Sequence, residues 1–398
     1  MPPYLSPGVY VEETDSGARP IEAVGTSTAG FVGVTPNPGV AIGQAVAINN
    51  WSQFVKTFVK SDDKAPKSND LANAVYAFFL NGGSRCYVAP IAKDAPLKGK
   101  GTGLDALAQI DEIAIIAAPG RIDISDYTDL LDAAESLGDR VAVLDAAPTA
   151  LDVEQLTRVA TLKGESPPGA SKTQTPGLRP PENLKGSGAV YFPWLRVRDA
   201  LDPTQIVSAP PSGAMAGIWA RTDTERGVHK APANVVVRGA LGLTQLVSQA
   251  EQGVLNPHGV NVIRSFSNSG IVVWGARTVA PAASNWRYLN VRRLFNMIEE
   301  SIMECTSWVV FEPNDKPLWK AIRRDVGAFL TLMWRQGALA GSRPEDAFFV
   351  KCDEETNPPE VVDAGQVVVM IGIAPVKPAE FVIFRIGQSQ SGATAETV

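Results

Sequence analysis

Residues 68–91, SNDLANAVYAFFLNGGSRCYVAPI, set three folding signals end to end. Asn69 stands where its side chain can accept the unpaired amides of a helix start, and an apolar-rich helical stretch follows. Asn81, Gly82 and Gly83 then offer left-handed backbone to stop that helix, and RCYVAPI resumes as a short buried strand. A chain that repeats this unit has few options, because helices of this length between strands apolar on both faces demand a parallel or mixed sheet with helices around it.

The unit does repeat. TAGFVGVT reads as a buried strand and NNWSQFVKTFV as a helix capped by Asn50. Further on, IDEIAIIAAPG is a strand, SDYTDLLDAAESLGD a helix capped by Ser125 or Asp126, and RVAVLDAAP another strand. LDVEQLTRVATLKG reads as a helix and GAVYFPWLRV as a strand. The fold class expected is α/β. Between these elements GESPPGASKTQTPGLRPPENLKGSG is so rich in Pro, Gly, Ser and Lys that it reads as an exposed loop.

At 398 residues the chain can bury more than one core, since domains usually run about 100–200 residues. Hydrophobic residues make up 45% and charged residues 20%, which fits a globular chain, and no apolar run reaches the roughly 18 residues of a membrane span. MPPYLSPG has no basic segment leading into an apolar one, so a cytoplasmic origin is expected. The net charge of -6 argues against a nucleic-acid partner. Cys86, Cys305 and Cys352 are odd in number and widely spaced, as reduced core thiols would be.

An α/β sheet invites an enzyme reading, because ligands often bind beyond the carboxyl ends of its strands. The residues give it little support. KGKGTGLD has a GxG but no GxxxxGK[ST], and it reads as preceding a strand rather than joining strand to helix. GxSxG, HExxH and CxxC are absent, and His229 and His258 lie in Gly/Pro-bounded segments without a regular partner spacing. Asp123 and Asp145 end strands, where an aspartate more often closes a turn than acts on a substrate. The NWS at Asn50 reads as a helix cap rather than a glycan site. No cofactor and no metal site is expected.

Two amphipathic helices mark the carboxy-terminal part. Val291, Leu294, Phe295, Ile298, Ile302 and Cys305 recur at helical spacing, which places Arg292, Arg293, Glu299 and Glu300 off the buried face. Leu318, Ile322, Phe329, Leu330 and Met333 do the same for the next helix, capped near Asn314 and Asp315 and stopped by Gly337. Its first half carries Lys320, Arg323 and Arg324, which read either as a solvated face or as a contact for a polar partner. Strands lie near both termini. In SPGVYVEE, Val9 and Val11 oppose Tyr10 and Glu12; in EFVIFRI, Val382, Phe384 and Ile386 oppose Phe381, Ile383 and Arg385. Each adjoins a polar or glycine-bearing arm, and an unpaired strand on an arm invites pairing with another chain.

One stretch, APPSGAMAGIWARTDTERGVHKAPANVVVRG, resembles the contractile tail sheath family of phages, R-type bacteriocins and extracellular contractile injection systems in its PPSG, AGxxARTD and RGVxKAPAN segments. His229 stands where relatives often have an aromatic residue. Further segments follow in the family's order: WGARTVA, WRYLNVRRLFNMIEESIMECTSWVVFEPND, PLWKAIRRDVGAFLTLMWRQGALAG, EDAFFVKCDEETN and QVVVMIGIAPVKPAEFVIFRI. Together with PGVYVEE they cover the amino-terminal strand and most of residues 209–386.

That resemblance implies an amino-terminal strand and arm at 1–22, an outer α/β domain at 23–280 with a variable loop at 164–187, and an inner α+β domain at 281–398. The inner domain would be built from both chain termini and carry the terminal donor strand. It also implies a non-enzymatic structural subunit, assembled in the bacterial cytoplasm as part of a phage tail or tail-like particle. Its partners would be other copies of itself in stacked rings, an inner tube protein, a baseplate and a terminal cap, with no nucleic acid and no direct membrane insertion. Val9, Tyr10, Val11 and Glu12, with Phe381, Val382, Ile383, Phe384 and Ile386, would cross to neighbouring subunits. Lys320, Arg323 and Arg324, with Arg292 and Arg293, would face the tube.

Overall fold

A computed structural model of the chain describes residues 20–60, 67–161 and 176–383. It opens with β1 (Ala29–Gly33) and β2 (Val46–Ile48), then α1 (Trp51–Phe58), α2 (Asp70–Asn81) and β3 (Cys86–Pro90). Next come β4 (Ile115–Ala117), α3 (Ile124–Leu137), β5 (Val141–Asp145), β6 (Gly188–Phe192), β7 (Leu195–Arg198) and β8 (Ile206–Ala209). The long helix α4 (Ser212–Arg226) leads to β9 (Val235–Val236), β10 (Ala240–Leu243), α5 (Gln249–Leu255), β11 (Val260–Phe266) and β12 (Gly270–Val273). Beyond them lie α6 (Leu289–Cys305), α7 (Lys316–Arg335), β13 (Phe348–Lys351) and β14 (Met370–Ile373).

Nine strands form one mixed sheet in the order β9-β12-β11-β6-β5-β4-β1-β3-β2. Its central run from β11 to β3 is parallel, and β2, β12 and β9 add antiparallel edges. Strand alternation splits the apolar residues between two faces. Phe31, Val141, Val143, Ala189 and Tyr191 point to the layer of α1, α2 and α4, while Val32, Ala142, Leu144, Val190 and Phe192 point to the layer of α3 and α5. Each of the Val, Leu and Phe side chains among them contributes about 1.5–3 kcal/mol when taken fully out of water, so both faces act as cores. A third core joins α6, α7, β13 and β14, with Ile21 and Val228 packed into it.

Local signals explain several helix ends. The Asn50 side chain accepts the amide of Gln53, Asn69 that of Ala72 and Asp315 that of Leu318, each the N-terminal capping bond. Gly82 closes α2 with φ of 115°, while Asn81 stays helical. The helix after Pro119 begins at Ile124 with Asp123 at its cap position, two residues ahead of Ser125 and three ahead of Asp126, the caps expected, which lie inside the helix.

Four sequence expectations change. Of the helix expected over 151–164, the described residues 151–161 form no α-helix: Asp152 and Gln155 make a capping box for a single 3-10 turn, Val153–Thr157. Val159 and Ala160 then bridge Arg179 and Gly177, which takes the chain out of helix. GAVYFPWLRV is two strands, because Pro193 lacks the amide that would continue the ladder, and β7 joins β8 and β10 in a separate sheet. KGKGTGLD forms a tight hairpin, Lys98–Gly99 against Thr102–Gly103, that runs into the one-turn helix Leu104–Leu107 rather than into a strand. Finally, residues 176–187 are partly packed despite their composition, although Leu184 stays exposed. Arg179, Asn183 and Ser187 are buried, and Asn183 Oδ1 accepts the Ser187 amide at 2.9 Å.

The small residues of α4 let it touch α2 backbone to backbone. A Cβ on Gly213 would lie 2.1 Å from the carbonyl oxygen of Ala74, and one on Gly217 would lie 2.4 Å from that of Phe78. Only glycine fits at these two positions. The approach buries Trp219 completely, with its indole Nε1 donating to the Tyr191 hydroxyl at 3.0 Å.

Candidate assembly surfaces

At the carboxyl edge of the parallel strands, where an enzyme of this class would hold its ligand, Asp145 is taken up by the chain's own hydrogen bonds. Asp145 ends β5 and is 2% exposed. It accepts the Ser212 amide and hydroxyl, each at 2.7 Å, and the Gly120 amide at 3.0 Å. A buried carboxylate thus caps α4 from across the sheet, as a helix N-terminus favours. Burial outweighs these bonds and pushes the carboxyl pKa up to about 7. His229 and His258 are half-buried to exposed, and burial lowers the pKa of each. Among the described residues, no cluster of His, Cys, Asp and Glu is arranged to hold a metal, and Cys86, Cys305 and Cys352 are thiols.

Arg292 and Arg293 are not surface residues. Arg292 is 8% and Arg293 3% exposed, which corrects their expected placement on an outward face toward a tube. Arg293 forks onto Asp223 of α4, Nη1 to Oδ1 at 2.9 Å and Nη2 to Oδ2 at 2.6 Å, and its Nη2 also donates to the Thr26 carbonyl at 2.9 Å. The Thr26 hydroxyl donates to the same carboxylate at 2.6 Å, and the guanidinium lies over Trp219 with its carbon 4.9 Å from the ring centroid. Arg292 stacks on Trp286 at 4.1 Å and donates to Asn296 at 2.6 Å. Burying a guanidinium is costly unless it is paired and hydrogen-bonded, and here it is both. The ARTD and RRLF segments therefore form one tie between α4, α6 and the chain ahead of β1. The sequence carried no clear signal for it, because Asp223 is flanked by Arg221 and Arg226 on its own helix.

Lys320, Arg323 and Arg324 behave differently. All three are exposed on α7, opposite the buried Leu318, Ile322, Val326, Phe329 and Leu330. Arg324 Nε donates to Asp325 at 2.8 Å, and Arg323 Nη1 reaches the Cys352 carbonyl at 3.4 Å. Close by in sequence, Phe311 is fully exposed with a left-handed φ of 70°.

Of the residues expected to cross between subunits, Val9, Tyr10, Val11, Glu12, Phe384 and Ile386 lie outside the described residues. Phe381, Val382 and Ile383 are described, belong to no strand of this chain and are 71–79% exposed. The segment before them is held: Ala340 donates its amide to Ala374 at 2.8 Å and Val376 donates to Ala338 at 3.2 Å. Three consecutive large apolar residues therefore leave an anchored segment for solvent.

Residues 282–389 match the phage tail sheath C-terminal domain and residues 196–279 the phage tail sheath protein central domain. The sheath of the PVC extracellular contractile injection system, solved in its contracted state, is 33% identical over 98% of this chain and 99% of its own, with a TM-score of 0.74. The chain belongs to the contractile tail sheath family. The contracted helical sheath of the anti-feeding prophage is similar to the same degree, with 32% identity, 97% and 100% coverage and a TM-score of 0.73. At 26% identity, the tail sheath protein of Salmonella phage ViI aligns with 78% of this sheath chain and 48% of its own length. The tail sheath protein of Vibrio phage KVP40 is 30% identical over 46% of this chain, which covers 27% of it. This chain thus spans between about a quarter and a half of those phage sheath proteins.

Proposed function

We propose that the chain is the structural subunit of a contractile sheath, polymerising as a helical array around an inner tube and shortening to drive that tube through a target membrane. The observation that carries the reading is the whole-length likeness to a sheath solved in its contracted state. Work would come from the free-energy difference between two lattices, so no residue of the chain needs to hydrolyse anything.

Strand exchange would join the subunits. Exposed Phe381, Val382 and Ile383 support it, since an apolar strand edge in water is a liability unless another sheet takes it up. A donated strand of five to seven residues would make a handful of backbone bonds at about 0.5–1.5 kcal/mol each, less the cost of ordering the arm. Each link is modest, but every subunit has several. Val9, Tyr10, Val11 and Glu12 would supply the amino-terminal strand, and Phe384 and Ile386 would extend the carboxy-terminal one.

Lys320, Arg323 and Arg324 would meet the tube, without Arg292 and Arg293. Baseplate and terminal cap proteins would bound the polymer, which would assemble in a bacterial cytoplasm within a phage tail or tail-like particle. The division into a 1–22 arm, a 23–280 outer domain and a 281–398 inner domain goes with this proposal. Electron microscopy of the overexpressed chain tests it. Hollow helical tubes are expected, whereas a small oligomer that persists at high concentration would sink the reading.

A further inference from the structure

Arg277, in the WGARTVA segment, is 2% exposed and is held from the sheet side on every edge but one. Fully buried Asn261 of β11 grips its backbone from both directions, accepting the Arg277 amide at 2.7 Å and donating to its carbonyl at 2.7 Å. This grip explains Gly275, where a Cβ would fall 2.8 Å from the same Asn261 oxygen. At the other end of the side chain, Nη1 donates to the Asn256 carbonyl at 2.8 Å. What remains is the Nε/Nη2 edge, and Glu380 fills it: Nε donates to Oε1 at 2.8 Å and Nη2 to Oε2. The carboxylate lies one residue before the exposed run Phe381, Val382 and Ile383.

We propose that Arg277 and Glu380 form a clamp that fixes where the chain's own fold ends and its donated segment begins. The inference rests on the strand-exchange reading and adds a positioning pair to it. The backbone pairing of Ala338 and Ala340 with Ala374 and Val376, and the Asn290 Nδ2 bond to the Val376 carbonyl at 3.1 Å, lie behind the clamp, so a pull on the segment beyond reaches Arg277 and Glu380 first. A slip of one residue at the departure point would also matter. Strand side chains alternate faces, so it would present Phe381 and Ile383 where Val382 belongs. A planar guanidinium oriented by the Asn256 carbonyl, on a backbone that Asn261 fixes, suits this role, because a forked pair holds direction as well as charge.

Full-length chains carrying Glu380→Gln, Glu380→Asp or a deletion of residues 381–398 are compared with wild type. Three readouts apply: pelletable polymer, ring spacing by electron microscopy, and the thermal midpoint of unassembled protein. The clamp predicts at least a tenfold loss of regular polymer for Glu380→Gln and partial recovery for Glu380→Asp, with midpoints lowered by no more than about 6 °C, the size expected when a buried guanidinium loses its charged partner. Amide exchange at Val376 should quicken in Glu380→Gln. Wild-type polymer from Glu380→Gln, beside none from the deletion, would overturn the clamp and leave strand exchange standing. Wild-type polymer from the deletion would remove the strand-exchange reading itself. A drop of ten degrees or more in the Glu380→Gln midpoint, without quickened exchange confined to the segment, would make the pair a stability element and overturn its positioning role.

Discussion

At Asp145 a carboxylate carries out the task of a helix cap at a site with almost no solvent, and its raised pKa sets how stability should follow pH. An aspartate in an unfolded chain titrates near 3.9, so between about pH 4 and 7 the folded form holds a proton that the unfolded form has lost. Stability from this group is therefore complete below about pH 4, falls as pH rises to about 7, and is level above that, a change on the order of 4 kcal/mol. Glu300, pushed up to about 7 by burial and by nearby Asp139, adds to the fall with the same sign. Asp145→Asn should flatten the fall in urea midpoint between pH 4 and 7, and adding Glu300→Gln should flatten it further. An unchanged slope in the single variant would mean that Asp145 is ionised in the fold. The sequence placed Asp145 correctly at the end of a strand but could not name its partner, because Ser212 lies 67 residues away. The same distance problem misplaced Arg292 and Arg293. Helical spacing separates apolar from charged residues, but it cannot show that a charge is matched by Asp223 on another helix.

Among the elements, α4 shows what small residues achieve. Gly213 and Gly217 let two helices meet without side chains between them, so a methyl at Gly213 must push backbone apart. Gly213→Ala should cost about 3 kcal/mol in denaturant unfolding, the upper range for overpacking. Gly327 of α7 has nothing within 4 Å of a built Cβ, and Gly327→Ala should stabilise the chain by about 0.5–1 kcal/mol. Equal effects at the two glycines would remove this account of α4. On the exposed side of α7, reversing charge at Lys320, Arg323 and Arg324 together should lower the yield of tube-filled particles at least tenfold when the tube protein is co-expressed. Empty sheaths should remain, and undiminished filling would send the tube contact elsewhere. Helices with a cap residue beside them were legible from sequence, as Asn50, Asn69 and Asp315 show. Residues 151–161 were not, because the same capping chemistry starts a single turn as readily as a helix. What decides is the later pairing of Val159 and Ala160 with a segment that itself looked unstructured.

For the whole molecule, the sheet was legible because its strands are apolar on both faces, and the family because its segments recur in order; the way the cores are joined was not. Deleting residues 1–14 should leave a soluble subunit with a near-wild-type thermal midpoint that forms no polymer in sedimentation. Normal polymers from that deletion would end the case for amino-terminal strand exchange. The Arg293–Asp223 fork has a mechanical consequence at this scale. It joins α6 to α4 with both partners buried, and Thr26 and the Asn296 bond to the Arg140 carbonyl, at 3.2 Å, brace the same seam. A torque applied at α7 therefore reaches the nine-stranded sheet through short, dry links with little slack. Under the proposed contraction such a subunit would act as a stiff lever, turning a small rotation at the tube into a longer sweep at the rim.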